Sequence, residues 1–410
     1  MSSERPSQTS GLSRRDVLRR GGVATAVVGL GLSGLAGSAT AGGTGGDSVP
    51  DDAIPIDGPT VITEPGYYVF TKDIVETDAV TVINVELGVS NVTIDGQGYT
   101  LAGSGESQYG IAAGTYPDAP FDENVTVKNL TVTGFTVAGI TFEEVRNATV
   151  HNVKITHCQW GLYLLSAPGL TVSESTIAKN DLAIFQDEGA TGATLVGNRI
   201  TRNGAIGGFD FSSNLRIENN RFDYNGRPLG ISFSYGSIVS GNLFYQNDAG
   251  LFVDDSLGDS EDAPDVVREN RFIENDRYGI ELNSDSRAVL IEENDVFRNG
   301  GDGIRVAFIQ RLNTVSKNRV IGNARSGILL ENADRTEVVG NLIRQNGGDG
   351  IELRSSEFSD DGSDDNVVRE NIIRENGGLA IRIDGDSTGN VVEDNQIGDD
   401  APDTCRLEDY

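Results

Sequence analysis

Residues 198–247 read NRITRNGAIGGFDFSSNLRIENNRFDYNGRPLGISFSYGSIVSGNLFYQN, and the spacing of their asparagines decides the fold. Asn198, Asn220 and Asn242 recur every 22 residues, and Asn203, Asn225 and Asn247 follow them five positions on. Between the two sit Ile200, Phe222 and Phe244. Such short apolar alternation is strand behaviour, because successive side chains of a strand point to opposite faces. A fixed period of this length marks a solenoid, in which each repeat buries its apolar edge against the next.

The pattern extends in both directions. The first Asn falls at 129, 152, 198, 220, 242, 270, 294, 318, 341, 371 and 395, with Ser175 in the gap and Gly96 marking an earlier coil. The second falls at 180, 203, 225, 247, 275, 299, 323, 346 and 376, with Gly134 and His157 in its place early on. Then come apolar pairs such as Ile140/Phe142, Ile231/Phe233, Ile280/Leu282, Ile304/Val306 and Ile351/Leu353. Three short strands per 22 to 24 residues make one coil of a β-helix. The expected fold is therefore all-β: a single-stranded right-handed parallel β-helix of the pectate-lyase-like kind, roughly a dozen coils over residues 54–398. Its hand follows from the right-handed rule for parallel crossovers. An inward Asn has two donors and an acceptor group, so it can bond its own turn and the Asn one coil along. Asn198, Asn220, Asn242, Asn270, Asn294, Asn318, Asn341 and Asn371 are thus read as a structural ladder, with Gly and Asn at the bends for their tolerance of positive φ. A leucine-rich repeat has a similar period, but its helical half-repeat is absent.

The chain carries 32 Lys plus Arg against 62 Asp plus Glu, a formal net charge of −30. Lys occurs only at 72, 128, 154, 179 and 317. Such a surface repels itself in dilute buffer and is screened in brine, where the Debye length is about 3 Å at 1 M. A salt-adapted protein is expected. No basic stripe exists to displace counterions from phosphate, so nucleic acid is excluded as a partner. Residues 13–20, SRRDVLRR, precede an apolar stretch from Gly21 to Ala36 and a small-residue site ending at Ala41. This is the layout of an export signal with twin arginines at 14 and 15. Residues 1–41 are read as that signal, cleaved near Ala41; 42–53 as a flexible linker; 399–410 as a tail. No later stretch reaches the 18 or so apolar residues of a membrane span, so a secreted monomer is expected. Cys158 and Cys405 are some ten coils apart, about 48 Å at ~4.8 Å per coil. The short tail after Ile397 reaches at most roughly 28 Å, which argues against a disulfide.

These columns make the chain resemble the large family of parallel β-helix repeat proteins, which includes NosD-type periplasmic proteins and carbohydrate-binding and sugar-hydrolase β-helices. The segment from Ile62 to Leu101 is similar to the opening of many haloarchaeal surface members. The resemblance covers about residues 54–397. It implies binding or modification of extracellular polysaccharide, as a lyase or glycoside hydrolase if catalytic. The other functions it implies are a non-enzymatic matrix protein or a NosD-like copper accessory. Departures from the family are plain: the Asn-Thr-Asp, Gly-His-Gly and Arg-x-Lys segments of polygalacturonases are absent, as is the Asp-Pro-His-Asp segment of alginate epimerases.

Two acidic insertions, 254–265 and 355–365, stretch their coils to 28 and 30 residues and should flank the coils between. There the outward positions hold Glu281, Arg305, Leu329 and Glu352. Glu281, Arg305 and Glu352 are the candidate catalytic residues, since an Arg between carboxylates could hold a uronate and carboxylates are the usual acid–base pair in glycoside cleavage. The commoner meaning of such a group is a surface ion pair worth little. Tyr163 and Phe252 are candidate sugar-stacking faces. Asp254, Asp255, Asp259, Asp262, Asp361 and Asp364 could ligate Ca²⁺ through oxygen, although solvation in brine is the favoured account of these acids. A repeated Asn-Gly-Gly-Asp-Gly at 299–303 and 346–350 resembles calcium-binding nonapeptides without their spacing. For copper the chain has His151, His157 and Cys158, with His157 expected to bond neighbouring turns. Asn91, Asn124, Asn129 and Asn147 begin Asn-x-Thr sites, of which Asn129 should be turned inward.

Overall fold

The computed structural model describes residues 48–398, apart from 77, 105, 115–120, 257–263, 310–311 and 357–360, together with 406–407. The export signal, the first part of the linker, Asp259, Asp262 and Cys405 lie outside the described residues. All described regular structure is β-strand. Every strand pairing between coils is parallel, as between Thr194–Val196 and Arg216–Glu218 or between Ile280–Asn283 and Ile304–Ile309. One coil shows the plan: strands Thr194–Val196, Arg199–Thr201 and Ala205–Asp210 follow one another around three sides. The third side stacks into a 15-stranded sheet, and the first two form a 27-stranded sheet bent at the Asn.

The sheet of third sides exceeds the dozen coils that the Asn spacing counts. Thr60–Ile62, Thr81–Val85 and Tyr109–Ala113 stack beneath Ala138–Glu143, so the opening segment is itself coiled. Its turns lack the Asn columns, which is why the repeat did not show them. At the other end Arg406–Leu407 pairs with Arg382–Ile383.

The Asn columns are hydrogen-bonded ladders. The backbone N–H and Nδ2 of Asn198 both donate to Oδ1 of Asn220, at 2.9 and 3.0 Å, and Nδ2 also donates to the Val172 carbonyl at 2.7 Å. The scheme repeats through Asn242, Asn270, Asn294, Asn318, Asn341, Asn371 and Asn395. A parallel ladder runs from Asn180 to Asn376. A third corner, which the sequence did not reveal, uses Asp265, Asn313, Asn366 and Asn390 in the same way. Each buried corner amide is thereby satisfied, as a buried backbone group must be.

Four expectations are corrected here. The columnar asparagines are not the residues with positive φ; the residue before each one is, and it is often charged: Glu269, Glu293, Lys317 and Glu370 have φ between 54° and 57°. Ladder bonding offsets the roughly 1–2 kcal/mol that such a conformation costs. Asn129 and Asn152 occupy that corner position, so they sit one residue before the column. Asn152 is exposed and donates to Asn129, which donates to Asp95, in an outer ladder; Asn129 is not turned inward. Gly134 and His157 are displaced likewise: His157 is exposed at φ 56°, while buried Cys158 holds the column, its N–H donating to Asn180 Oδ1 at 3.0 Å. In the coil of Ile231 the inward pair is Leu229 and Ile231, and Phe233 stands at a corner with φ 51°. Cys158 is a free thiol, pushed up to about 11 by burial.

Inside the ladders the apolar columns touch from coil to coil. Phe222, Phe244 and Phe272 stack at 4.7 Å with planes 9° apart, which is the coil rise itself. Removing a columnar amide should therefore cost far more than removing a corner one. Asn270→Ala leaves buried donors and acceptors unpaired and is expected to destabilise by about 2–4 kcal/mol. Exposed Asn152→Ala should stay within about 0.5 kcal/mol. Denaturant unfolding in molar KCl compares the two.

Candidate functional site

Because every coil advances equally, outward residues of the 15-stranded sheet form straight columns. One column runs Phe252, Glu281, Arg305, Leu329, Glu352, Arg382. A second, two residues along, contains Ala307, Glu331 and Arg354. The columns meet in a depression of about 450 Å³ lined by Arg277, Tyr278, Glu281, Asp302, Arg305 and Arg325, with Arg354 at its side.

The charges are chained. Arg305 donates to Glu281 and, by its other side, to Glu331. Glu331 also accepts from Arg354 at 2.9 Å, and Arg354 lies 3.4 Å from Glu352. Glu352 accepts from the Ser326 hydroxyl at 2.6 Å. Glu281 and Arg305 are thus brought together, whereas Glu352 joins them only through Arg354 and Glu331. Those last two were legible as the next outward position of the same strands. Arg277 is held by Asp248 at 2.6 Å. Exposed Arg325 is different: among the described residues no carboxylate reaches it within ion-pair distance.

Asp302 was read as part of a calcium-like repeat. It is instead a buried corner residue, its Oδ1 accepting the Ser326 N–H at 3.0 Å, and Asp349 of the second repeat likewise accepts the Leu379 N–H at 2.6 Å. Burial, reinforced by the charge of Glu352, raises the Asp302 pKa above the ordinary carboxylate value. Burial also raises the Tyr278 phenol, helped by Glu281 beside it. The depression therefore holds a carboxyl whose pKa burial raises, a carboxylate salt-bridged to Arg305, and one arginine that makes no ion pair within 4 Å among the described residues while its charge acts on Asp302.

The model of the right-handed β-helix region matches residues 120–261 and 257–402. The chain belongs to this family. A comparison with curated proteins returns no match. Among solved structures, this right-handed β-helix is similar to the periplasmic alginate epimerase AlgG, at 14% identity over 80% of this chain and 77% of that one, with a TM-score of 0.46. It is similar to the A-module of the Azotobacter vinelandii mannuronan C-5 epimerase AlgE4, at 15% identity over 83% and 91%, with a TM-score of 0.43. A third is the catalytic unit of the thermostable GH87 α-1,3-glucanase from Streptomyces thermodiastaticus, at 14% identity over 86% and 70%, with a TM-score of 0.49.

The other sequence candidates of this β-helix are dispersed. Tyr163 faces outward but is buried against Trp160 and Phe185. Phe252 is half-buried one coil before Glu281. Asp254 ends its strand in register with Asn283, and Asp255 turns the corner at φ 46°. Asp361 is exposed, and Asp364 accepts the Thr388 N–H at 2.6 Å. Among the described residues no group of three or more His, Cys, Asp or Glu could hold a metal ion. His151 bonds Ser173 at 2.9 Å.

The raised carboxyl of Asp302 fixes a sign. Between its unfolded and folded pKa the folded state holds the extra proton, so stability falls as pH rises through that window. Asp302→Asn keeps the oxygen that accepts from Ser326 and removes the ionisation. Its melting temperature should exceed that of the wild type at neutral pH, with the difference shrinking on acidification. Thermal melts across the acid range read this directly.

Proposed function

We propose that this β-helix is exported, works in concentrated salt, and binds an acidic extracellular polysaccharide in the depression around Arg325. The observation that carries the reading is that arginine, which makes no ion pair within 4 Å among the described residues and lines the depression with Asp302 and Glu281 in a chain of net charge −30. Its neighbours Arg277, Arg305 and Arg354 are neutralised in place, so an incoming carboxylate finds one open fork for two parallel hydrogen bonds. Asp302 is the proton donor and Glu281 the fixed carboxylate that acid–base modification of the bound sugar would use.

Retention on immobilised uronate polysaccharides in molar KCl tests the binding. Arg325→Ala should weaken it at least tenfold, with Arg325→Lys between, because an ammonium has no bidentate fork. If no uronate or neutral polysaccharide is retained by the wild type, the reading fails. Modification is read separately, as new reducing ends or altered uronate composition lost in Asp302→Asn. The salt requirement is checked by melting temperatures that rise from dilute buffer to molar KCl, and export by a mature N-terminus just after Ala41.

The closed chain of Glu281, Arg305, Glu331, Arg354 and Glu352 favours a second reading, a rigid surface rod with no ligand. On that reading Arg325→Ala changes nothing, while deletion of whole coils abolishes the phenotype.

A further inference from the structure

North of the depression, toward the N-terminus, Gly208, Gly230, Phe252 and Glu281 run in register on the outward face, and Tyr163 pairs with Phe185; the two sets adjoin where Ile184 pairs with Gly207, one residue before Phe185 and Gly208. Two consecutive coils thus present glycine where their neighbours present aromatic rings. Packing does not demand the second one: a Cβ built on Gly230 would meet nothing within 4 Å, and its φ is one that any residue adopts. Glycine on a strand weakens it and leaves no side chain to pack. The result is a floor of bare backbone between Phe185 and Phe252, three coil rises long, about 14 Å.

Its borders are aromatic. Trp160 stacks on Phe185 at 4.5 Å with planes 10° apart, and Tyr163 packs against both. The next residues of that column are glycines, so no column side chain covers Phe185 from the far end. At the corner beyond the floor, Phe211 and Phe233 stack at 4.7 Å, and Phe211 is 64% exposed. Between floor and corner run Asp210, Ser232 and Asp254. Buried Oδ1 of Asp254 and of its register partner Asn283 accept no hydrogen bond.

Resting on the polysaccharide reading of the depression, we infer that the saccharide chain continues along the helix axis into this trough, a second subsite where uncharged sugar units lie over Gly208 and Gly230 between Phe185 and Phe252. Sugar rings present a C–H face, which aromatic rings such as Phe185 and Phe252 cover. The carboxylates beside the floor disfavour charged units there. From Gly230, in the middle of the floor, to Arg305 is three coil rises, about 14 Å, so a disaccharide held in the depression covers far less of the trough than a hexasaccharide does.

Gly230→Leu places a side chain over the floor, where its Cβ meets nothing within 4 Å, and Phe185→Ala removes the end wall. The probes are di- and hexasaccharides that carry a uronate at one end and neutral units beyond it, and neutral gluco- and manno-hexasaccharides, titrated calorimetrically in molar KCl. Emission of Trp160, the one tryptophan of the chain, is followed in parallel. Hexasaccharides are expected to bind the wild type at least tenfold more tightly than disaccharides and to shift Trp160 emission. Both the gain and the shift should vanish in Gly230→Leu and diminish in Phe185→Ala. Arg325→Ala should weaken uronate di- and hexasaccharides alike. If disaccharides bind and hexasaccharides gain nothing, or the gain survives in Gly230→Leu, the trough is refuted while the depression stands. If no oligosaccharide binds at any length, both readings fall together.

Discussion

The rest of this structure depends on one hydrogen-bonding arrangement: a corner asparagine whose side-chain oxygen takes the backbone N–H of the asparagine one coil earlier. A tight corner turns backbone groups into the interior, where neither water nor a sheet partner meets them. The Asn amide fills that deficit in three directions at once. It also fixes the spacing, because the ladder closes only when successive coils superpose. The corner can then accept Glu, Lys or Arg in a left-handed conformation just before the column, where an isolated turn would demand glycine.

Superposition of coils turns the surface into columns. Residues some 24 positions apart become neighbours, and an outward position has the same address in every coil. Charge and aromaticity can therefore be distributed along the axis without disturbing the interior. The chain of ion pairs from Glu281 to Glu352 and the stacked rings of Trp160 and Phe185 are two uses of that freedom on one sheet. Buried Asp302 lies at the edge between them and the interior, on a corner that already supplies one backbone donor. A site can be placed there because the corner is rigid.

At the early corners the reading of residues erred by one position. Asn129, Asn152, Gly134 and His157 all stand just before their column, because an outer Asn ladder and an inner one have the same period and differ only in which residue turns inward. Spacing alone does not distinguish them; the direction of a side chain at a corner depends on φ. The opening coils fell within the expected span of 54–398 but were undercounted for a related reason. They satisfy their corners without Asn, as where Asp122 accepts the Gly88 N–H, and so carry no repeating letter.

The sequence by itself determined the fold class, the period, the eight-member ladder from Asn198 to Asn371 and the pairing distance of Glu281 and Arg305, since all of these follow from intervals along the chain. Only the tertiary structure decided that Glu331 and Arg354 complete the ion chain, that Arg325 makes no ion pair within 4 Å among the described residues, and that Gly208 and Gly230 leave open backbone between aromatic residues. Those facts concern which side chain reaches across to which coil and where space is left empty. A periodic sequence specifies neighbours, but contact and vacancy depend on the rotamers and bulges of the folded chain.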